Sequence, residues 1–258
     1  MSTPRLAELR RLGVPEGFLG HIVDSWPDPD RTPEAWQALQ NTCDALRADI
    51  GALAPSQEWP DPPLDQRYFY FQAFATIAPD VRRWHADHGV SDEVSRASLA
   101  DLGNKVAQTG KQNWLAHHFR GRLLRLGRFQ FEPTPEGLLE VHIPGDGPMP
   151  PEACDDSFAQ AAAFYGPDYP QVTCHSWLLD EQLNDYLPPD SNIILFQQRF
   201  TPTGESGDAD DFLIEAVFGQ DADRSSLPRD TTLQRAIIDH LAAGNHWYHR
   251  TGRLTLPR

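Results

Sequence analysis

The sequence predicts a two-part protein: an all-helical front and an α/β back whose mixed sheet is flanked by helices. Three observations carry that reading. Up to about Phe119 the apolar residues recur at three- and four-residue steps, the period of a helix face, and no strand pattern interrupts them. After Gly121 the period changes to two, the mark of a half-buried strand. From there strand-like and helix-like runs alternate, the order that builds parallel strands with right-handed crossovers. The change of texture lies between Gly110 and Gly121. It divides the 258 residues into a helical domain over 1–118 and an α/β domain over 119–258, each with its own core.

In the front, "TPRLAELRRLGV" opens with Thr3 as N-cap and Pro4 at the first helical position. "TPEAWQALQNTCDALRADIGAL" repeats that opening at Thr32-Pro33, and Ala35, Trp36, Leu39, Cys43, Leu46 and Ile50 share one face. "LDQRYFYFQAFATIAPDVRRWHADHGV" is a third helical stretch, broken at Ala78-Pro79. "SDEVSRASLADLGNKVAQTGKQNWLAHHF" has Ser91 and Glu93 as helix-start signals and holds one or two more helices. Four to six helices are expected before the texture changes.

In the back, Leu124, Leu126, Phe129 and Phe131 alternate across Gly127, "TPEG" turns, and Leu139, Val141 and Ile143 alternate again with Glu140 and His142. Two such runs joined by a short turn make an antiparallel hairpin. "DDSFAQAAAFYG" reads as a helix capped by Asp155 or Asp156 and stopped at Gly166. "QVTCHSWLLD" reads as a strand, "EQLNDYL" as a short helix and "SNIILFQQRF" as a buried strand. "DADDFLIEAVFG" and "DTTLQRAIIDHLAAG" are further helices, the second capped by Thr231 or Asp230, and "GRLTL" suits a closing strand.

Composition excludes several classes of function. The formal net charge is −15, so bulk charge draws the protein to neither nucleic acid nor an anionic membrane. The basic run of His117, His118, Arg120, Arg122, Arg125 and Arg128 reads as a solvated face or as side chains snorkelling around a strand. The three cysteines, Cys43, Cys154 and Cys174, are widely spaced and form no zinc-like cluster. Neither His85 with His88 nor His246 with His249 has a metal-ligand signature, so no metal is expected. The first residues contain no apolar leader and no run is long enough to cross a bilayer, which points to the cytoplasm and to reduced thiols.

The segments "LGRFQFE", "HIPGDGPM", "CHSWLLD", "PPDSNIILFQQRF" and "TTLQRAIIDHLAAGNHW", in the order hairpin, glycine loop, helix, strand, short helix and buried strand, resemble a known family. They are similar to the GNAT-like acyltransferases of bacteria that carry an extra helical N-terminal domain. The resemblance implies transfer of an acyl group from acetyl-CoA or another acyl-CoA to an amine of a small-molecule or peptide acceptor. In the family's phosphate loop, Gln or Arg precedes a Gly-x-Gly element. The match here is His142-Ile143-Pro144-Gly145-Asp146-Gly147. Ile143, Gly145 and Gly147 are the implied pyrophosphate contacts. The sequence departs from the pattern: Pro144 removes an N–H, Asp146 adds negative charge, and Pro148, Pro150 and Pro151 delay the helix by some eight residues or more. A second register puts the cradle at "EACDDS", with Ser157 as the contact.

Acyl transfer to nitrogen needs a base for the attacking amine and an acid for the departing thiolate. Glu140 and His142 share one strand face, and either suits the base. His175 is the base candidate on the second strand, where it shares a face with Thr173 and Trp177. Ser176 would orient a thiol or amide. By the resemblance, Tyr186 protonates the thiolate and Asn184 contacts the pantetheine arm. Two rivals remain open: a GNAT-like binding or regulatory protein without chemistry, and a small-acyl hydrolase using Cys174.

Overall fold

The computed structural model describes residues 3–56, 66–106, 115–219 and 222–257, with Thr3 and Glu205 described through their backbone alone. The Thr3 cap therefore lies outside the described side chains. The chain divides into two compact units, one of Met1–Arg125 with Gln130–Pro135, the other of Leu126–Phe129 with Glu136–Arg258.

The first unit is helical. It contains α1 (Thr3–Arg11), α2 (Glu16–Asp24), α3 (Pro33–Ala48), α4 (Phe69–Asp87), α5 (Asp92–Ala100) and the single turn α6 (Ala116–Phe119). Ser91 caps α5 by accepting from the Val94 N–H at 3.2 Å, as expected. Thr32 does not cap α3; its hydroxyl accepts from the Asp28 N–H at 2.8 Å instead. The expected break at Pro79 is absent, and α4 runs straight through it. Proline inside a helix costs about 3 kcal/mol. That cost is outweighed because Tyr70, Phe71, Phe74, Ile77 and Val81 of this helix are all fully buried, at roughly 1.5–3 kcal/mol for each large side chain.

The basic run is not a solvated face. Arg120 is buried and ion-paired with Glu132, the Arg122 Nε donates to the Gly51 carbonyl, and His118 is buried. The Arg120 and Arg122 heads satisfy carboxylate and backbone acceptors inside the fold.

From Leu124 onward the elements are β1 (Leu124–Leu126), β2 (Phe129–Pro133), β3 (Leu139–His142), α7 (Pro151–Tyr165), β4 (Gln171–Ser176), α8 (Asn192–Gln197), β5 (Thr201–Asp208), α9 (Asp210–Phe218), α10 (Thr232–Ala242) and β6 (Tyr248–Thr255). The sheet order is β1-β2-β3-β4-β6-β5. β3 and β4 are parallel, joined by α7, while β6 runs antiparallel to both β4 and β5.

Two expectations are corrected here, and one strand appears that the sequence does not signal. "SNIILFQQRF" is not a strand: Ser191 caps α8 by accepting from the Ile194 N–H, and Ile194 and Phe196 are its buried residues. β5, "TPTGESGD", carries no strand signal because an exposed edge strand with two glycines and a proline shows no apolar alternation. α7 starts at Pro151 with Pro150 as its N-cap, ahead of Asp155, so the helix follows Gly147 closely. It ends at Gly166 with φ 67°, the predicted stop.

α7 buries Cys154, Ser157, Phe158 and Ala161, one stripe at helical spacing. The Phe158 ring packs at 5.4 Å from Phe129 and 6.1 Å from Phe200. A Cβ on Gly127, whose φ is 68°, would lie 3.3 Å from the Ser157 Cα, so glycine lets the β1–β2 turn meet the helix.

Candidate active site

β3 and β4 pair at Leu139↔Val172 and Glu140↔Thr173, and their ladder stops there. β4 continues, paired with β6 as far as Ser176↔Arg250. The two parallel strands therefore part after Glu140, and continuing the register would set His142 opposite His175.

Burial alternates along both strands. Leu139, Val141, Val172 and Cys174 are buried, whereas Glu140, His142, Thr173 and His175 are not. Register places Glu140 beside Thr173, Thr173 beside Arg253, and His175 beside Thr251, so one polar sheet face lines the parting. His175 is exposed there. Its Nδ1 lies 2.8 Å from Thr251 Oγ1, and its ring stacks on His249 at 5.2 Å. His249 in turn meets the exposed Phe212 edge-on at 5.1 Å. Burial pushes the His142 imidazole below its ordinary value, with the Glu140 carboxylate pulling the other way. Burial and the neighbouring His175 also depress His249. Depressed imidazoles are neutral near pH 7 and able to accept protons.

The loop after β3 holds Ile143, half-buried, and Gly145 and Gly147, both exposed. Its carbonyls converge on Arg128, from the β1–β2 turn, which also reaches Asp146 at 3.3 Å. The second register falls inside α7. Ser157 is fully buried there; its hydroxyl donates to the Leu126 carbonyl and accepts from the Phe129 N–H at 3.0 Å. That serine ties helix to turn and presents no surface to a cofactor.

β4 ends at Ser176, whose hydroxyl accepts from the Leu178 N–H at 3.1 Å and starts a 3-10 turn. Trp177 is thus off the strand and buried. Asp180 is fully buried and accepts from the Tyr248 N–H at 2.8 Å and the Gln182 side chain at 3.0 Å. Asp210 accepts from the Trp247 N–H at 2.7 Å and lies 2.7 Å from His246 Nδ1. Together the two carboxylates hold the start of β6. Tyr186 closes the 3-10 helix Glu181–Asp185, with its hydroxyl 3.0 Å from His240 Nδ1. Asn184 is exposed and donates to Gln197 Oε1 at 2.7 Å.

Sequence reasoning missed Arg128, Thr251 and His249. The last two were legible: extending "GRLTL" back to Tyr248 puts His249, Thr251 and Arg253 on one face by alternation. Cys174 is fully buried and its thiol is pushed far up by burial, so it is no nucleophile and the hydrolase reading fails. Among the described residues no group of three His, Cys, Asp or Glu side chains could hold a metal ion.

A parallel strand pair that parts just ahead of a glycine loop, with histidines and a carboxylate on its polar face, is the layout expected of an acyltransferase of the GNAT type. Residues 4–121 match the N-acyltransferase N-terminal domain, and residues 123–254 match the GNAT-like C-terminal domain. The chain belongs to the GNAT-like N-acyltransferase family and is a CoA-dependent acyltransferase. Among solved structures it is similar to an acyltransferase in complex with CoA and 10C-teicoplanin, at 36% identity and a TM-score of 0.89. It is also similar to an acyltransferase with decanoyl-CoA and teicoplanin, at 37% identity and 0.89, and to an acyltransferase mutant with octanoyl-CoA, at 36% and 0.88. Each match covers 96% of this chain and 86% of the other. No curated protein matches the chain.

Proposed function

We propose that this protein transfers a medium-length acyl group from acyl-CoA to an amine of a small-molecule or peptide acceptor. The observation that carries the proposal is the parting of β3 and β4 with exposed His175 on its polar face. The solved relatives support a donor longer than acetyl-CoA: two of them hold octanoyl-CoA and decanoyl-CoA. Two hold teicoplanin or its 10C form, which supports a peptide-like acceptor.

His175 is the general base. When Nδ1 carries its proton and donates it to Thr251 Oγ1, Nε2 keeps a lone pair. That nitrogen takes the proton from the acceptor amine as the amine nitrogen attacks the thioester carbonyl. The tetrahedral intermediate collapses to an amide and expels CoA as the thiolate, which takes its proton from Tyr186. Glu140 and His142 form the neighbouring wall, where a neutral imidazole and a carboxylate orient the acceptor through hydrogen bonds. Ile143, Gly145 and Gly147 carry the pyrophosphate, and Asn184 borders the pantetheine arm. Ser157 is left out because its hydroxyl is fully buried and both donates and accepts inside the fold, and Ser176 because it starts the turn that follows β4.

A second reading, a GNAT-like binding protein without chemistry, draws on Pro144, Pro148, Pro150 and Pro151, each of which lacks an N–H for phosphate. Mass spectrometry of reactions with acetyl-, octanoyl- and decanoyl-CoA and a panel of peptide amines separates the two. The expected result is amide product plus free CoA, with more product from the longer donors. Binding of every donor with no product from any amine would favour the second reading.

A further inference from the structure

Arg128 supports the glycine loop from its inner side. Its Nη2 donates to the carbonyls of Pro144 and Gly147, both at 2.7 Å, and its Nε donates to the carbonyl of Pro148 at 2.8 Å. Nη1 lies 3.3 Å from Asp146 Oδ1. The guanidinium-bearing side chain is only 9% exposed, whereas Gly145 to Pro148 face solvent.

Peptide geometry converts these contacts into a direction. In a trans peptide the carbonyl of one residue and the N–H of the next point opposite ways, and no cis peptide occurs among the described residues. With the Pro144 carbonyl turned to Arg128, the Gly145 N–H turns away from it. The Pro148 carbonyl does the same for the Met149 N–H. Among the described residues neither of these N–H groups, nor that of Gly147, donates to any partner. A Cβ on Gly145 or Gly147 would meet nothing within 4 Å, so the space beyond the loop is open.

We infer that Arg128 is the positioning residue of the pyrophosphate cradle. By gathering the loop's carbonyls inward it aims the Gly145 and Met149 amides outward, and it offsets the Asp146 carboxylate that would otherwise repel phosphate. Prolines have removed several N–H groups from this loop, so the direction of those that remain decides whether it binds phosphate. The inference rests on the acyl-CoA reading of the loop.

Calorimetric titration of decanoyl-CoA and of decanoyl-pantetheine, which lacks the pyrophosphate and nucleotide, tests it on wild type, Arg128→Ala and Arg128→Lys. Both variants should bind decanoyl-CoA about tenfold more weakly or worse as preorganisation is lost, because an ammonium cannot hold three carbonyls in the guanidinium's fork. Both should bind decanoyl-pantetheine as wild type does, which also shows that they are folded. Unchanged decanoyl-CoA affinity in the variants would overturn the inference, as would parallel loss of both ligands. Failure of the wild type to bind decanoyl-CoA while binding decanoyl-pantetheine would overturn it too. Failure of the wild type to bind either ligand is a different result, and sinks the acyl-CoA reading itself.

Discussion

At the scale of single residues, two histidines on facing strands differ in what surrounds them. His142 is half-buried and its charged form is disfavoured, while His175 is exposed and held by Thr251 and the His249 ring. A base must reach the amine it deprotonates, so exposure combined with a fixed ring orientation favours His175. His175→Ala should therefore lower kcat by roughly 10²–10⁴-fold, with little change in Tm because the side chain is solvent-facing. Steady-state kinetics beside a melting curve checks it; near-normal kcat would move the base to His142 or Glu140. Thr251→Val should lower kcat, and Thr251→Ser, which restores the hydroxyl, should recover it. Both strand histidines were legible from period-two alternation. Arg128 was not, because the loop carbonyls it holds lie 16 to 20 residues further along the chain, and a run of arginines carries no record of which backbone groups it will meet.

At the scale of elements, α7 is fixed to the β1–β2 turn by one buried hydroxyl. Ser157 satisfies an acceptor at Leu126 and a donor at Phe129 at once. Replacing it with alanine strands both, at roughly 1–3 kcal/mol. Ser157→Ala should lower the urea midpoint and leave the KM for acyl-CoA unchanged, as measured by denaturation and kinetics on the same preparation. A large rise in KM at wild-type stability would return Ser157 to the cofactor site. Periodicity located α7 and β4 because each has one buried face and one open face. It misassigned α8, a short apolar run whose period cannot distinguish a buried strand from one helical turn and a half. It passed over β5, which is held by its pairing with β6 and buries no apolar stripe of its own.

At the scale of the whole molecule, buried and half-buried histidines tie stability to pH. His85 in the helical unit, and His142 and His249 in the sheet, are each pushed below the ordinary 6.5, in every case first by burial. In the unfolded chain the same groups titrate near that ordinary value. Between it and the lower folded values the unfolded state binds more protons than the folded state. Stability contributed by these groups is therefore fully present above about pH 6.5 and is lost as pH falls through their folded values. His246 has the opposite sign: its bond to Asp210 raises it, so its contribution is complete at low pH and fades as pH rises. It is also exposed, where solvent screens the pair, so the three depressed histidines prevail. The urea midpoint should hold steady from about pH 7.5 to about 6.5 and then fall toward pH 5. Part of that acid limb belongs to His85, whose ring nitrogens lie 2.7 Å from Ser95 Oγ and 2.8 Å from the Gly121 carbonyl. His85→Gln removes its titration, so the variant should show a shallower slope below pH 6.5, whatever its midpoint at neutral pH. A slope equal to wild type would show that His85 takes up its proton as readily folded as unfolded, and that burial does not govern its charge.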